Sequence, residues 1–292
     1  LLIGAILNTF CSSILQVGSL TTATFSNAGA ATAMGIQLVC LGTTLRFNEL
    51  GSVLKRGGVL LISKFVAGAV IGIVVGKVFG TDGFLGLSAL AIICAVTNSN
   101  GSVYLSLMQS YGDEVDSGAM ALLSLNDGPF FTLVAMGASG LANIPILSIL
   151  AAITPIIVGM ILGNLDKSFS DFLAPAGPIL IPFVGLTPSG VLLGFMTTFI
   201  GGAFIVLCDR KISKRPGYAG WAVATTAGNA VAVPAVVGLA DKSLEAYVPQ
   251  ATAQVAASVV ITAIIVPIVT NWWAHKYGCP KFPLEDKKAA TK

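Results

Sequence analysis

Charge is what this sequence has least of. Only 10% of its 292 residues are Asp, Glu, Lys or Arg, against about 25% in a soluble domain. A chain so poor in charge lacks an ordinary water-facing surface, and no nucleic-acid partner is expected of it. Histidine is nearly absent too. His275 stands alone, past the last apolar run, and cannot by itself anchor a histidine metal site or a Ser-His-Asp triad. The five cysteines, Cys11, Cys40, Cys94, Cys208 and Cys279, form no pair at metal or redox-motif spacing. They read as small apolar fillers. No serine-hydrolase elbow and no dinucleotide fingerprint is present. The stretch from Gly72 to Lys77 resembles a phosphate loop only loosely: its spacing is short and Val78 stands where Ser or Thr is needed. These absences exclude most enzymes and predict no metal or cofactor. With no nucleotide site to supply energy, any transport would be secondary.

What the chain does have is apolar sequence in long runs. It is 55% hydrophobic, with a mean hydropathy of +0.88, and the runs show neither helical nor alternating stripes. That is the pattern of a polytopic membrane protein in a lipid bilayer. The 33 glycines suit helices that pack closely in lipid. Taking about 20 residues per span, the candidates in the first half are residues 1–10, 21–45, 58–79, 84–108 and 117–138. The second half offers 144–162, 177–184, 190–207, 217–239 and 247–273. The opening run is too short to cross, so the start of its helix is expected to lie before Leu1. The run 177–184 is also too short, and the reading we prefer is that residues are absent between Phe183 and Thr187.

Five elements followed by five more predict an all-α membrane protein of ten transmembrane helices. Five is odd, so the halves, 1–143 and 144–277, are expected to form two inverted five-helix repeats, with a tail at 278–292. Arg46, Lys55 and Arg56, then Arg210, Lys211, Lys214 and Arg215, then His275, Lys276 and Lys281 all fall on one side of such a topology. The positive-inside bias makes that side cytoplasmic, with both termini there. The acidic loop Asp113, Glu114, Asp116 falls on the same side.

The fourth element of each half is interrupted. Thr97-Asn98-Ser99-Asn100-Gly101 breaks the first, and Thr225-Thr226-Ala227-Gly228-Asn229 breaks the second. Lipid cannot satisfy backbone groups freed by such a break, so it must be buried in protein or face a watery cavity. Paired breaks of this kind point to a transporter's binding site. Half-helix N-termini can hold a carboxylate, and unwound carbonyls can hold a cation or a polar ligand. The alternative is two kinked helices with purely structural turns. A shift of 128 residues places Asn98 on Thr226 and Asn126 on Gln254.

Asp127 lies about ten residues into the fifth element, near the bilayer midplane. A carboxylate there costs several kcal/mol unless paired, hydrated or protonated. It reads as a proton or ion site or a substrate partner, or else as an acid held in an internal hydrogen-bond network. Asn126 beside it points about 100° away, so the two are not expected to share a ligand. Gln250, Gln254, Ser258 and Thr262 recur at steps of four on one helix face, which serves either as a cavity wall or for helix–helix bonding. Lys64 is expected to snorkel its amine to the nearby basic surface.

Several strings carry a resemblance: Asn100-Gly101-Ser102-Val103-Tyr104, Met108-Gln109-Ser110-Tyr111-Gly112, and Ser124-Leu125-Asn126-Asp127-Gly128-Pro129. Leu162-Gly163-Asn164-Leu165-Asp166 and the run from Ala227 to Pro234 extend it over nearly the whole chain. The chain resembles the 2-keto-3-deoxygluconate permease family. The resemblance implies a bacterial inner-membrane importer of a small sugar-acid anion, driven by proton symport. It also implies a fold similar to the bile acid:sodium symporters, with a panel domain, a core domain of two crossing broken helices, and elevator-like alternating access. On this reading Asn98, Asn100, Thr225, Asn229 and Gln254 supply polar groups to the substrate, and Asp127 carries the proton. Sodium coupling, with Asn98, Asp127 and Gln254 as oxygen ligands, is the rival within transport. A passive channel or another non-transporting membrane protein is the rival outside it.

Overall fold

The long apolar runs become helices, as chain in lipid must when it satisfies its own backbone. A computed structural model describes residues 18–19, 21–22, 29–45, 47–80, 82–173, 175 and 187–284. The first expected element, the run 177–184 and the expected gap after Phe183 lie outside the described residues. Among the described residues regular structure is helical, with two isolated bridge pairs and no strand.

The helices are α1 (Ala30–Gly42), α2 (Phe47–Phe79), α3 (Ala89–Thr97), α4 (Gly101–Tyr111), α5 (Glu114–Gly118), α6 (Met120–Leu123) and α7 (Phe130–Ser139). After them come α8 (Ile146–Leu165), α9 (Lys167–Leu173), α10 (Pro188–Phe195), α11 (Gly202–Lys211), α12 (Tyr218–Val223), α13 (Val233–Ala240) and α14 (Val248–Tyr277). A wide helical turn, Met196–Gly201, joins α10 to α11. Among the described residues five stretches are long and apolar enough to cross a membrane, and a sixth if the bent pair Glu114–Asn126 and Phe130–Ser139 is one span. Ile62, Val70, Val74 and Val78 of α2 and Ile146, Leu147, Leu150 and Leu165 of α8 are exposed. Apolar surface of that extent on long helices is a lipid-facing surface, and the chain is a multi-pass membrane protein.

Two expectations change here. The third element begins at Phe47 rather than at residue 58, because Arg56 is not a loop residue: it is buried inside α2 and paired with Asp116 and Asp209. The fifth element is bent by 58°. Its helix tightens into a short turn at Ser124–Asn126 and restarts at Phe130 after Asp127-Gly128-Pro129. Pro129 cannot donate a backbone hydrogen bond, which accounts for the restart.

All nine residues of α3 and all six of α12 are buried. The two interrupted helices therefore occupy the middle of the molecule. Close approach to α3 is set by Gly68 of α2: a side-chain carbon there would lie 2.6 Å from the backbone nitrogen of Thr97. Only glycine lets these helices touch at the end of α3.

Candidate functional site

The first break is real and short. α3 stops at Thr97, Asn98 and Asn100 are extended, and α4 starts at Gly101. The Asn100 side chain caps α4 by accepting from the Val103 N–H at 3.1 Å. The freed Thr97 carbonyl accepts from Asn126 Nδ2 at 3.2 Å, and Ser99 Oγ donates to Asn126 Oδ1 at 2.9 Å. Asn98 Nδ2 donates to the Cys94 carbonyl at 2.9 Å and to Thr132 Oγ1 at 3.3 Å. Asn126 thus belongs to the scaffold of the break, while its neighbour Asp127 faces elsewhere.

The second break follows α12. The Thr226 N–H donates to Thr262 Oγ1 at 3.0 Å, and the Thr226 hydroxyl meets Ser258 Oγ at 2.7 Å. Two members of the polar stripe on α14 therefore serve helix–helix bonding. Gln250 and Gln254, higher on the same face, both donate to the Gly86 carbonyl, at 3.0 and 2.6 Å, and Gln254 also reaches Ser189 Oγ at 3.0 Å. The Ala224 carbonyl accepts from Thr198 Oγ1 of the wide turn at 3.4 Å. The Thr225 carbonyl accepts from Lys64 Nζ at 2.7 Å. This corrects the snorkelling expectation for Lys64, which is 0% exposed. With α2 beginning at Phe47, Lys64 lies well inside the helix and turns to a freed carbonyl rather than to the surface.

The two breaks touch. The Asn100 N–H donates to Thr225 Oγ1 at 2.7 Å, so the starting end of α4 is tied to the second interruption. Beside this contact is a cavity of about 60 Å³ whose polar lining includes Gln37, Asn100, Ser102, Asp127 and Asn229, with the Gly101 backbone. Asn229 Nδ2 donates to the Asp127 carbonyl. Asp127 is 7% exposed. Its Oδ2 lies 3.6 Å from where a side-chain carbon on Gly101 would begin, against the first turn of α4. Its Oδ1 has no hydrogen-bond partner among the described residues. The partial positive charge at the start of α4 favours a negative group at this spot, and among the described residues no Lys, Arg or His lines the cavity.

Of the residues singled out from sequence, Asn100, Asp127 and Asn229 share the cavity, and Thr225 stands behind Asn100. Asn98 faces Cys94 and Thr132, and Gln254 faces Gly86 and Ser189, so neither lines it. Among the described residues no cluster of three or more His, Cys, Asp or Glu could hold a metal ion. Sequence reasoning missed Gln37 and Ser102. Gln37 is a lone amide in the apolar α1, a signal that was there to read. A second cavity of about 300 Å³ borders Met34, Pro155 and Leu239. Its lining is mostly apolar and has little to offer a polar anion.

The chain is similar over nearly its whole length to several proteins. The sequence profile of the family described as 2-keto-3-deoxygluconate permease matches residues 1–279. 2-Keto-3-deoxygluconate permease 1 of Salmonella typhimurium is 44% identical over 290 residues, covering 94% of this chain and 91% of that protein. The 2-keto-3-deoxygluconate permease of Enterobacter sp. is 35% identical over 306 residues, covering 98% and 92%. That of Bacillus subtilis is 34% identical over 292 residues, covering 93% and 88%. No solved structure matches the chain.

Proposed function

The chain belongs to the 2-keto-3-deoxygluconate permease family, and on that premise we propose that it imports 2-keto-3-deoxygluconate by proton symport across a bacterial inner membrane. It is a permease and not an enzyme. The observation that carries the proposal is the meeting of the two breaks, Asn100 N–H on Thr225 Oγ1, beside a cavity that holds Asp127.

The substrate carboxylate docks at the first turn of α4, where the Gly101 and Ser102 backbone and the Asn100 side chain lie. Asn229 and Gln37 meet its hydroxyl and keto oxygens. Thr225 acts through Asn100. Asn98 and Gln254 act at a distance, holding the first break and the Gly86 carbonyl.

Charge then dictates the coupling. Asp127 already stands against the start of α4, the place an anionic substrate needs. Two unit charges 4 Å apart repel by about 4 kcal/mol at an effective dielectric constant of 20, and among the described residues no basic side chain lines the cavity between them. Substrate therefore enters when Asp127 carries a proton, and the proton crosses with it, one for each carboxylate. The cavity holds a few waters at most, so the core bearing both breaks must move against the remaining helices to admit a sugar acid. The full burial of α3 and α12 supports their moving as one body, in elevator fashion. The halves 1–143 and 144–277 are proposed as inverted repeats, with both termini cytoplasmic.

Sealed vesicles containing the purified protein test this. A proton gradient should drive 2-keto-3-deoxygluconate above its outside concentration, with matching proton influx. Equilibration without accumulation would make the protein a passive channel. Sodium coupling, with Asn98, Asp127 and Gln254 as ligands, is the second reading; their Oδ1, Oδ1 and Oε1 atoms are among the buried oxygens without partners among the described residues, but of the three only Asp127 lines the cavity. Replacing sodium with choline at fixed pH abolishes uptake on that reading and leaves it intact on ours.

A further inference from the structure

A charged side chain inside a membrane helix persists only when the protein compensates it. Arg56, buried on α2, has Asp116 and Asp209. Lys64, further along the same helix and 0% exposed, has no carboxylate within ion-pair distance among the described residues. What it has is backbone oxygen. Its Nζ donates to the Thr225 carbonyl at 2.7 Å, just past the end of α12. One turn on, at Gly68, α2 touches Thr97 at the end of α3. Lys64 is thus set at the finishing end of α12, an end that carries partial negative charge, on the helix that also packs against the end of α3. Asp127 stands at the opposite kind of end, the start of α4. Freed carbonyls and half-helix C-terminal ends are the groups that coordinate a metal cation in carriers with interrupted helices.

We propose that the Lys64 ammonium is a tethered cation: it takes, at the carbonyl side of the second break, the place a free sodium ion takes in cation-coupled carriers. The chain then needs no dissolved metal cation to hold its interrupted helices together. This deepens the transporter reading and rests on it. An ammonium is a compact charge with three donors, so Thr225 is one of up to three oxygens it can serve. A side chain shortened at this position leaves the Thr225 carbonyl without its donor, and an alkali cation or methylammonium is expected to take the vacated place.

The test uses full-length protein in vesicles at fixed pH and membrane potential, with 2-keto-3-deoxygluconate as substrate and sodium, choline or methylammonium as the cation. Wild-type uptake should be the same in sodium and choline. Lys64→Ala should lose about tenfold in choline and recover much of it in sodium or methylammonium. Lys64→Arg, which keeps the charge, should outperform Lys64→Met, which keeps the stem alone. Melting temperature gives a readout independent of transport, since a ligand bound to the folded state raises it. Sodium should leave the wild-type value unchanged and raise that of Lys64→Ala. Sodium-dependent uptake or melting of the wild type overturns the tethered cation, as does Lys64→Met matching wild type in choline. If Lys64→Ala does not fold, the wild-type sodium arm and the Arg–Met pair still decide. Absence of wild-type uptake in every cation defeats the transporter reading instead, and the melting arm then still judges Lys64.

Discussion

Asn100 does two things at once, and its removal separates them. Its side chain caps α4 and its backbone N–H holds Thr225. Asn100→Ala keeps the backbone bond and loses the cap, so it should cost about 1 kcal/mol of stability and raise KM more than it lowers the maximal rate. Thermal melting and uptake kinetics check both halves of that statement. Asn100→Asp restores a cap but adds a carboxylate beside Asp127, and should depress substrate affinity most at high pH. The residues on which this rests were partly legible in the sequence. Asn100, Asp127 and Asn229 stood out as polar groups in apolar runs, and the structure puts them around one cavity. The role of Lys64 is not legible, because the sequence shows its closeness to a basic cluster along the chain but not its partner, the Thr225 carbonyl, 161 residues away. No sequence spacing announces a freed carbonyl.

At the scale of the helix, interruption is the organising feature. Both breaks were legible because glycine and small polar residues punctuate an apolar run. The bend at Asp127-Gly128-Pro129 is signalled in the sequence only by Pro129. The start of α2 was not legible, since a charged pair such as Lys55-Arg56 marks a loop unless something buried neutralises it, and Asp209 lies in a distant element. The contact of α2 with α3 gives a sharp contrast. Gly68→Val drives a side chain into Thr97 and should destabilise by about 1–3 kcal/mol. Gly58→Ala, on the same helix, has open space around it and should be neutral or stabilising by up to about 1 kcal/mol. Equal losses at the two positions, read by melting in detergent, would contradict the packing described.

Across the whole molecule, a knot of charges joins segments far apart in the chain. Arg56 of α2 holds Asp116 of α5 at 2.6 Å and also Asp209 of α11, while the hydroxyls of Tyr104 and Tyr218 reach Asp116. Arg215 adds Asp113 at 2.6 Å. Arg56, Asp209, Arg215 and the acidic pair Asp113 and Asp116, far apart in the chain, thus meet in one cluster. Arg56→Met strands two buried carboxylates and should cost about 3–5 kcal/mol. At the rim, partial burial pushes the Asp113 carboxyl up, but the bond from Arg215 and the Asp116 N–H outweigh it, and the net position is below the ordinary 3.8. A carboxyl held lower in the folded state stabilises above its ordinary value and loses that contribution as pH falls through the folded one. Asp113→Asn should therefore lower the melting temperature at pH 7, with the gap closing as pH is taken below about 4. A gap that widened in acid would reverse the sign.

On the proposed mechanism, one negative charge at the start of α4 is carried in turn by Asp127 and the substrate. Simultaneous recording of 2-keto-3-deoxygluconate uptake and internal pH, in vesicles containing wild type or Asp127→Asn, tests it most directly. Wild type should accumulate substrate with proton influx. Asp127→Asn should keep substrate exchange, with neither proton influx nor uphill uptake. Accumulation and proton influx by Asp127→Asn at wild-type levels would contradict it.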